Sequence, residues 1–339
     1  MTKNIKSELL QGKTVKITSM GTYLPRQVES ADIEIMHHIQ EGWSRKYSGV
    51  DSRHHATTET IGFMGARAAE DALEKGNISI ADIDMLISAG GTFDYPLPNQ
   101  ASVIKNELSG GGLYDFPAVD IDSTCLSFVT ALDFASKLLD GKYLKHILIV
   151  SSEISSKGLD HENWETTTLF GDGAAAAVVS FDASSESLFI KGGQKTYSEG
   201  VFDTVIQGGG NVNFFKNVPY DKDLHSFKMN GKKLLRLAKK RIPEFMTSFF
   251  DDLSIEIEDA DAVIPHQASK MGIHIFENLY KFREGQVKRT LEKYGNCIAA
   301  SIPLTLADCI EKGEIKRGDL CMLCGTSAGF SIGAALIRY

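Results

Sequence analysis

Cysteine is sparse in this chain: five in 339 residues, an odd number with no repeated short spacing. That excludes a disulfide framework and makes a reducing cytoplasm the expected compartment. Long apolar runs are missing too. No stretch reaches eighteen consecutive apolar residues, so no membrane span is expected. The opening MTKNIKSELLQGKTVKI lacks the apolar block of a secretory leader. There is no excess of positive charge: the formal net charge is −8, which disfavours a nucleic-acid binder. Histidines with metal-ligand spacing are absent; His37–His38 and His54–His55 are adjacent pairs, a poor zinc geometry, and no metal is expected. The glycine runs SGGGL and QGGGN lack both the P-loop Lys-Ser/Thr and a GxGxxG frame, and they read as turns.

What is present is ordinary globular composition, 42% hydrophobic and 24% charged, on a chain long enough for a large core or two fused halves. Strand-like and helix-like runs alternate without a low-complexity linker, the α/β pattern. Segments then repeat. LEKGNISIADIDMLISAGGT from Leu73 is echoed by FFDDLSIEIEDADAVIPHQAS from Phe249. DFASKLLDGKYLKHILIVSSE from Asp133 is echoed by TLADCIEKGEIKRGDLCMLCGTS from Thr305, and FGDGAAAAVVSF from Phe170 by SAGFSIGAALIRY from Ser327. The offsets are close: 313 − 141 = 172 for the turn glycines and 264 − 87 = 177 for two strand isoleucines. Three ordered matches at so long a period point to duplication. Two halves, 13–182 and 183–339, are expected to pack as one pseudo-symmetric body with a site between them.

Three residues could carry chemistry. Cys125 follows the strand-like run Phe116–Ile121 and precedes the apolar helical run Leu126–Leu139. Unpaired N–H groups at a helix start favour a thiolate, whereas a buried cysteine is often inert filler. His266 stands in DAVIPHQASKMG, where Val263–Ile264 end a strand and Pro265 stops it. Its Nε2 can donate to a developing oxyanion, or backbone can satisfy the ring. Asn296 follows Gly295 and starts an expected helix Cys297–Ile310, either as a cap or as a second donor beside His266. A shift of 172 lays Cys125 on Cys297, and one of 177 lays Ala89 on His266. All three residues thus fall at strand–helix junctions, which a pseudo-twofold brings together. Taken singly, each keeps both readings.

Other features are plainer. Cys321 and Cys324 form a CxxC inside a buried strand with no second CxxC, so no zinc or redox role is read there. Glu153, Asp160, Glu162 and Glu165 read as a charged loop. Lys228–Arg241 holds seven cations and no acid, with positions 232, 236, 239 and 240 on one helical face. That face is either solvated or a dock for an acidic partner.

In order along the chain, STCLSF around Cys125, LFGDGAAAAVV from Leu169, SFKMNGKKLLRLA from Ser226, VIPHQAS, YGNCIAASIPLTL and a Gly-rich C-terminus resemble the thiolase-fold condensing enzymes. The resemblance is to the 3-oxoacyl-acyl-carrier-protein synthase III group and spans almost the whole chain. It implies an α/β thiolase fold of two halves in five α-β-α-β-α layers. It also implies catalytic roles for Cys125, His266 and Asn296: Cys125 takes an acyl group from acyl-CoA, and His266 and Asn296 steady the enolate formed when malonyl-acyl carrier protein loses CO2. Backbone N–H groups at Cys125 and Ala328 would form the oxyanion hole. No cofactor is implied beyond these substrates. Trp43 matches a tryptophan that stacks near CoA adenine; Lys232, Arg236 and Lys270 are the expected CoA and carrier-protein contacts; Leu97 and Leu126 line the expected acyl pocket. A homodimer is implied by the same resemblance.

The departures from the pattern point away from simple acetyl-CoA as donor. Leu126 replaces a small residue after the nucleophile, and Tyr47, Trp164 and Met271 replace expected arginines. Leu97 stands where an aromatic crosses into the partner's pocket, leaving room for a medium or long acyl chain. Ala328 in GTSAG replaces a glycine, and strain is expected there if φ is positive. The alternatives are a specialised relative (a long-chain head-to-head, alkylresorcinol or quinolone condenser, or an acyl transferase that forms no carbon–carbon bond) and a non-catalytic acyl-binding subunit. A thiolase proper is disfavoured, because its second cysteine frame near the C-terminus is missing.

Overall fold

The computed structural model describes residues 10–214 and 216–339. Most of the segment on which the absence of a leader was read therefore lies outside the described residues. Nine strands form the two larger sheets. The first holds β1 (Val15–Tyr23), β2 (Met85–Ala89), β3 (Ala118–Ile121), β4 (His146–Glu153) and β5 (Gly173–Phe181), in the order β1-β5-β4-β2-β3. The second holds β6 (Leu188–Thr196), β7 (Ala262–Pro265), β8 (Leu320–Ser327) and β9 (Ser331–Arg338), in the order β6-β9-β8-β7.

The pattern of pairing is the same in both. β1 with β5 and β5 with β4 are antiparallel, while β4 with β2 is parallel. β6 with β9 and β9 with β8 are antiparallel, while β8 with β7 is parallel. Beyond β2 the first sheet adds parallel β3, and beyond β7 the second has a single parallel bridge between Val263 and Val287.

Six longer helices complete the layers: α1 (Ile61–Gly76), α2 (Gln100–Glu107), α3 (Ser127–Leu138), α4 (Gly231–Phe250), α5 (Lys270–Leu279) and α6 (Ser301–Glu311). α3 and α6 lie between the sheets. Phe128, Leu132, Ile302 and Leu306 share one core with Ile149 and Val179 of the first sheet and Ile264 and Leu323 of the second. A helix sandwiched this way must be apolar nearly all round, and in α6 every residue from Ser301 to Cys309 is buried. α1 and α2 cover the outer face of the first sheet through Met64, Ala68 and Ile104 against Leu86, Leu148 and Val178. α4 and α5 cover the second through Phe245, Phe249 and Phe276 against Val263, Met322 and Leu336. The result is the expected five-layer α-β-α-β-α fold.

Strand period decides which side chains meet which layer. In β4, Ile147 and Ile149 enter the central core and Leu148 and Val150 the outer one. The same alternation separates the CxxC pair: Cys321 faces the central core and Cys324 the outer one. An odd spacing on a strand sends the two sulfurs to opposite faces. Among the described residues no helix is long and apolar enough to cross a membrane.

Candidate active site

Both central helices start later than their apolar runs suggest, and for the same reason. α3 begins at Ser127 after a 3-10 turn Thr124–Leu126, and α6 begins at Ser301 after a 3-10 turn Ile298–Ala300. The Ser127 hydroxyl accepts from the Ser123 N–H at 2.9 Å, and the Ser301 hydroxyl accepts from the Cys297 N–H at 3.0 Å. Two residues before each turn begins, a side-chain oxygen caps it: Asp122 accepts from the Thr124 N–H at 2.7 Å, and Asn296 from the Ile298 N–H at 2.9 Å. Thr124 and Ile298, both β-branched, sit at φ +51° and +48°. Such residues are genuine outliers there, which marks the turns as constrained sites.

These pairs correct the sequence register. Since 301 − 127 = 174, Cys125 corresponds to Ala299, and Cys297 corresponds to Ser123. The sulfur at 125 thus has a methyl group as its counterpart in the second half.

The two turns pack against each other, and the Cys125 turn also packs on β8. Thr124 reaches across to the Ala328 carbonyl at 3.4 Å. Alongside β8 runs β7, with Pro265 paired to Cys324, so Pro265 closes the strand as its last residue. His266 follows it, its N–H still bonded to the Cys324 carbonyl at 2.8 Å. A side chain at Gly325 would start 2.6 Å from the His266 Cβ, so only glycine allows the imidazole to lie there.

Asn296 is positioned by Gly295 (φ +66°), where any side chain would meet the Leu169 carbonyl at 2.5 Å. Its own backbone bridges Leu169 and Gly171, and its Nδ2 donates to the Ala268 carbonyl at 3.2 Å. Asn296 therefore caps a turn and also presents an amide next to the His266 segment. His266 and Asn296 are 5% and 6% exposed.

Burial controls the electrostatics. It lowers the His266 imidazole to about 4, so the ring is neutral at physiological pH, and its Nδ1 has no partner among the described residues. Burial, followed by the charge of Glu153, pushes the Cys125 thiol up to about 12. The Ala328 N–H, the N–H of Cys125 itself and the Thr124 hydroxyl act in the opposite direction. The expected thiolate at a helix start is thus corrected: desolvation outweighs the helix terminus, and the resting sulfur is a thiol. Left-handed backbone falls on Gly329 (φ +79°) and Phe330 (φ +45°) and not on Ala328, so the condition for strain at Ala328 is not met.

Glu153 is a correction to the sequence reading. It does not belong to a charged loop with Asp160 and Glu162, which pair with Lys222. It is the last residue of β4, fully buried. Asp172 of the GDG segment is also fully buried but serves structure. Its carboxylate accepts from the N–H groups of Ala56, Ser155 and Ser156 at 2.8–2.9 Å and from the Ser156 hydroxyl at 2.6 Å. At about 1–3 kcal/mol for each of the three N–H donors left unsatisfied, Asp172→Ala should cost at least roughly 3 kcal/mol. Urea unfolding checks this, and an unchanged midpoint would refute it.

Comparison with known proteins places this geometry. Sequence models of 3-oxoacyl-[acyl-carrier-protein] synthase III and of its C-terminal part match residues 119–196 and 250–339. Beta-ketoacyl-[acyl-carrier-protein] synthase III of Aquifex aeolicus (strain VF5) is 30% identical over 325 residues, covering 96% of this chain and 99% of the relative. The chain belongs to the 3-oxoacyl-[acyl-carrier-protein] synthase III family. The crystal structure of the Aquifex aeolicus VF5 synthase superposes with a TM-score of 0.85 at 28% identity, covering 96% of this chain and 100% of that one. A crystal structure of Xanthomonas campestris OleA, at 20% identity, shares the fold with a TM-score of 0.82 over 100% of both chains. As a member of this synthase III family, the protein is an acyltransferase, a thiolase-fold condensing enzyme that acts on acyl thioesters.

The peripheral residues of this family member fall into four places. Trp43 packs on Tyr47 at 4.1 Å and edge-on to Trp164 at 5.1 Å, so the residues standing for two expected arginines join it in one aromatic group. Lys270, at the start of α5, reaches the carbonyls of Arg45 and Lys46 at 3.4 Å and ties α5 to that loop, with exposed Met271 next to it. On α4, Lys233 and Arg241 are paired with Asp203 and Glu199, whereas Lys232, Arg236 and Lys239 are exposed without an ion pair among the described residues. Leu126 is fully buried against Gly333 of β9, and Leu97 is 86% exposed, so the two do not meet within one chain. A cavity of about 380 Å³ beside Tyr280, Phe282 and Arg289 shares no lining residue with Cys125, His266 or Asn296.

Proposed function

We propose that the protein joins an acyl group held on Cys125 to a malonyl unit carried by acyl carrier protein, with loss of CO2. The observation that carries this reading is the meeting of the Cys125 turn, the Asn296 turn and the His266 end of β7 around β8. In the first half-reaction the Cys125 sulfur attacks the acyl-CoA carbonyl, and its proton ends on the departing CoA sulfur. The N–H groups at Cys125 and Ala328 are the donors for the tetrahedral oxyanion.

In the second half-reaction the malonyl carbon–carbon bond breaks and CO2 leaves. His266, neutral, donates from Nε2 and Asn296 from Nδ2 to the enolate oxygen. The enolate carbon attacks the acyl-Cys carbonyl, and the released sulfur takes up one proton. A neutral histidine suits this role because its Nε2–H supplies a donor to the enolate without the cost of burying a charge in the ground state.

The exposed cations Lys232 and Arg236 on α4 suit an acidic carrier protein, and Trp43 with Lys270 suits the nucleotide end of CoA. Leu97, together with Val119 on edge strand β3, suits a second copy of the chain that completes the acyl pocket. We divide the chain at 182/183, between β5 and β6, and the five free cysteines suit a reducing cytoplasm.

The test is a chain-length series of acyl-CoAs read by intact-protein mass. A single adduct on Cys125, discharged by malonyl-carrier protein into a 3-oxoacyl product, is expected, with the fastest loading beyond acetyl. Discharge by a second acyl-CoA instead would identify an acyl–acyl condenser. Absence of any adduct across the series would refute the reading.

A further inference from the structure

Glu153 is a carboxyl group that the proposed reaction does not use, placed where three loops of the site meet. It ends β4, a strand otherwise built of His146, four aliphatic residues and two serines, and it has no exposed surface. Its carboxyl accepts from the Gly91 N–H at 2.7 Å and from the Thr92 hydroxyl, and the nearby Ala299 N–H favours its charged form. Gly91 and Thr92 belong to the loop that leaves β2. Ala299 lies in the turn that Asn296 opens. Gly91 in turn lies against the Cys125 turn and the Ile298 side chain: a side chain on it would start 3.3 Å from the Thr124 Cα and 3.5 Å from Ile298 Cγ2.

Asp172, the other buried carboxylate nearby, is held by four strong donors of one local corner. Glu153 instead ties elements from opposite halves of the chain, and its charge reaches both cysteines flanking the site, Cys125 and Cys297. The titratable groups that face it are Asp122 from the loop after β3, Cys125 from the first turn and Cys297 from the second, with Asp172 beyond Cys297. None of them is a cation. Burial, outweighing these N–H and hydroxyl donors, raises the Glu153 carboxyl to about 8, so it changes charge in the range where such an enzyme works.

We propose that Glu153 is a positioning residue of the condensing site, which clamps the Asn296 turn and the Gly91 loop against the Cys125 turn and, through its charge, governs how readily the Cys125 thiol ionises. The clamp follows from geometry. One group holds the segment bearing Asn296 at a set distance from the segment bearing the sulfur, so the enolate donors and the acyl carbon keep their spacing. The charge effect follows from sign. A carboxylate near the sulfur disfavours the thiolate; a neutral group at the same place does not. The kinetic part rests on the condensing reading; the thiol chemistry does not.

The experiment measures two things on Glu153→Gln and Thr92→Val: the rate of Cys125 alkylation by iodoacetamide from pH 6 to 10, and the separate rates of acyl loading and malonyl-dependent discharge. Glu153→Gln removes the charge and turns an amide NH2 toward one of the N–H donors. Alkylation should rise toward about tenfold, the equivalent of one pKa unit, above pH 8, where the wild-type carboxyl is charged, and should change little at pH 7, where it is mostly protonated. Discharge should fall about tenfold or more in kcat while the KM for the malonyl substrate holds.

Thr92→Val removes one hydrogen bond that favours the charged carboxylate, so its alkylation profile should move the same way by less. It serves as the test if Glu153→Gln does not fold. A purely structural role would lower activity along with stability and leave the alkylation profile where it was. Superimposable profiles in the variants that fold, or a wild-type discharge rate in Glu153→Gln, would overturn the proposal. Because alkylation needs no acyl thioester, a shifted profile with no condensation of any kind would sink the condensing reading while leaving the charge effect standing.

Discussion

Cys125→Ala should load no acyl group from any acyl-CoA and lose at least about a thousandfold in overall turnover. The expectation is strong because the change touches so little else. The position is half-buried in a turn whose shape is set by Ser127, Asp122 and the backbone of Thr124, none of which needs the sulfur. The counterpart turn already carries alanine at residue 299 and has the same geometry. Stability should therefore stay close to that of the wild type, and the loss can be read as chemistry. Intact-protein mass after incubation with acyl-CoA checks loading. A persisting adduct of acyl mass would move the nucleophile elsewhere, and the remaining thiols, Cys297, Cys309, Cys321 and Cys324, are all buried.

The second large effect separates the two half-reactions. His266→Ala should load Cys125 at near the wild-type rate but slow malonyl-dependent discharge by about a hundredfold to a thousandfold, the usual cost of losing a donor to a developing oxyanion. Asn296→Ala should act in the same direction, with an added cost in stability because the Ile298 N–H loses its acceptor. Discharge should also vary little with pH from 5 to 8 as far as His266 is concerned. A ring lowered to about 4 is already neutral throughout that window and gains its charge only as pH falls toward 4. Single-turnover discharge of pre-loaded enzyme checks both points. A His266→Ala variant that loads poorly but discharges normally would assign the imidazole to the thiol instead of the enolate.

The architecture was largely legible in the sequence, because alternating strand and helix patterns with three ordered echoes specify layers and order. The register between the halves was less legible. Turn glycines and strand isoleucines gave 172 and 177, since loops of unequal length separate them, while the operative shift of 174 is set by the matched Ser127 and Ser301 hydroxyls. The ionisation of Cys125 was misjudged because a helix start is visible in a sequence, whereas desolvation of the sulfur and a carboxyl group 28 positions later are not. Glu153 read as the first residue of a loop because a charge after HILIVSS looks like an exit from the sheet. Its burial depends on Gly91, Thr92 and Ala299, which are distant along the chain.

The left-handed residues at Thr124 and Ile298 bear on how damage would spread through this enzyme. The backbone is nearly twofold, yet in the proposed reaction bond-making belongs to the front alone, so the rear elbow has no reaction of its own to spoil. A lesion at Ile298 would nonetheless register at Cys125, because what the rear elbow supplies is footing for its twin. In a body of this kind, a residue that never touches a reacting atom can be as costly to lose as one that does.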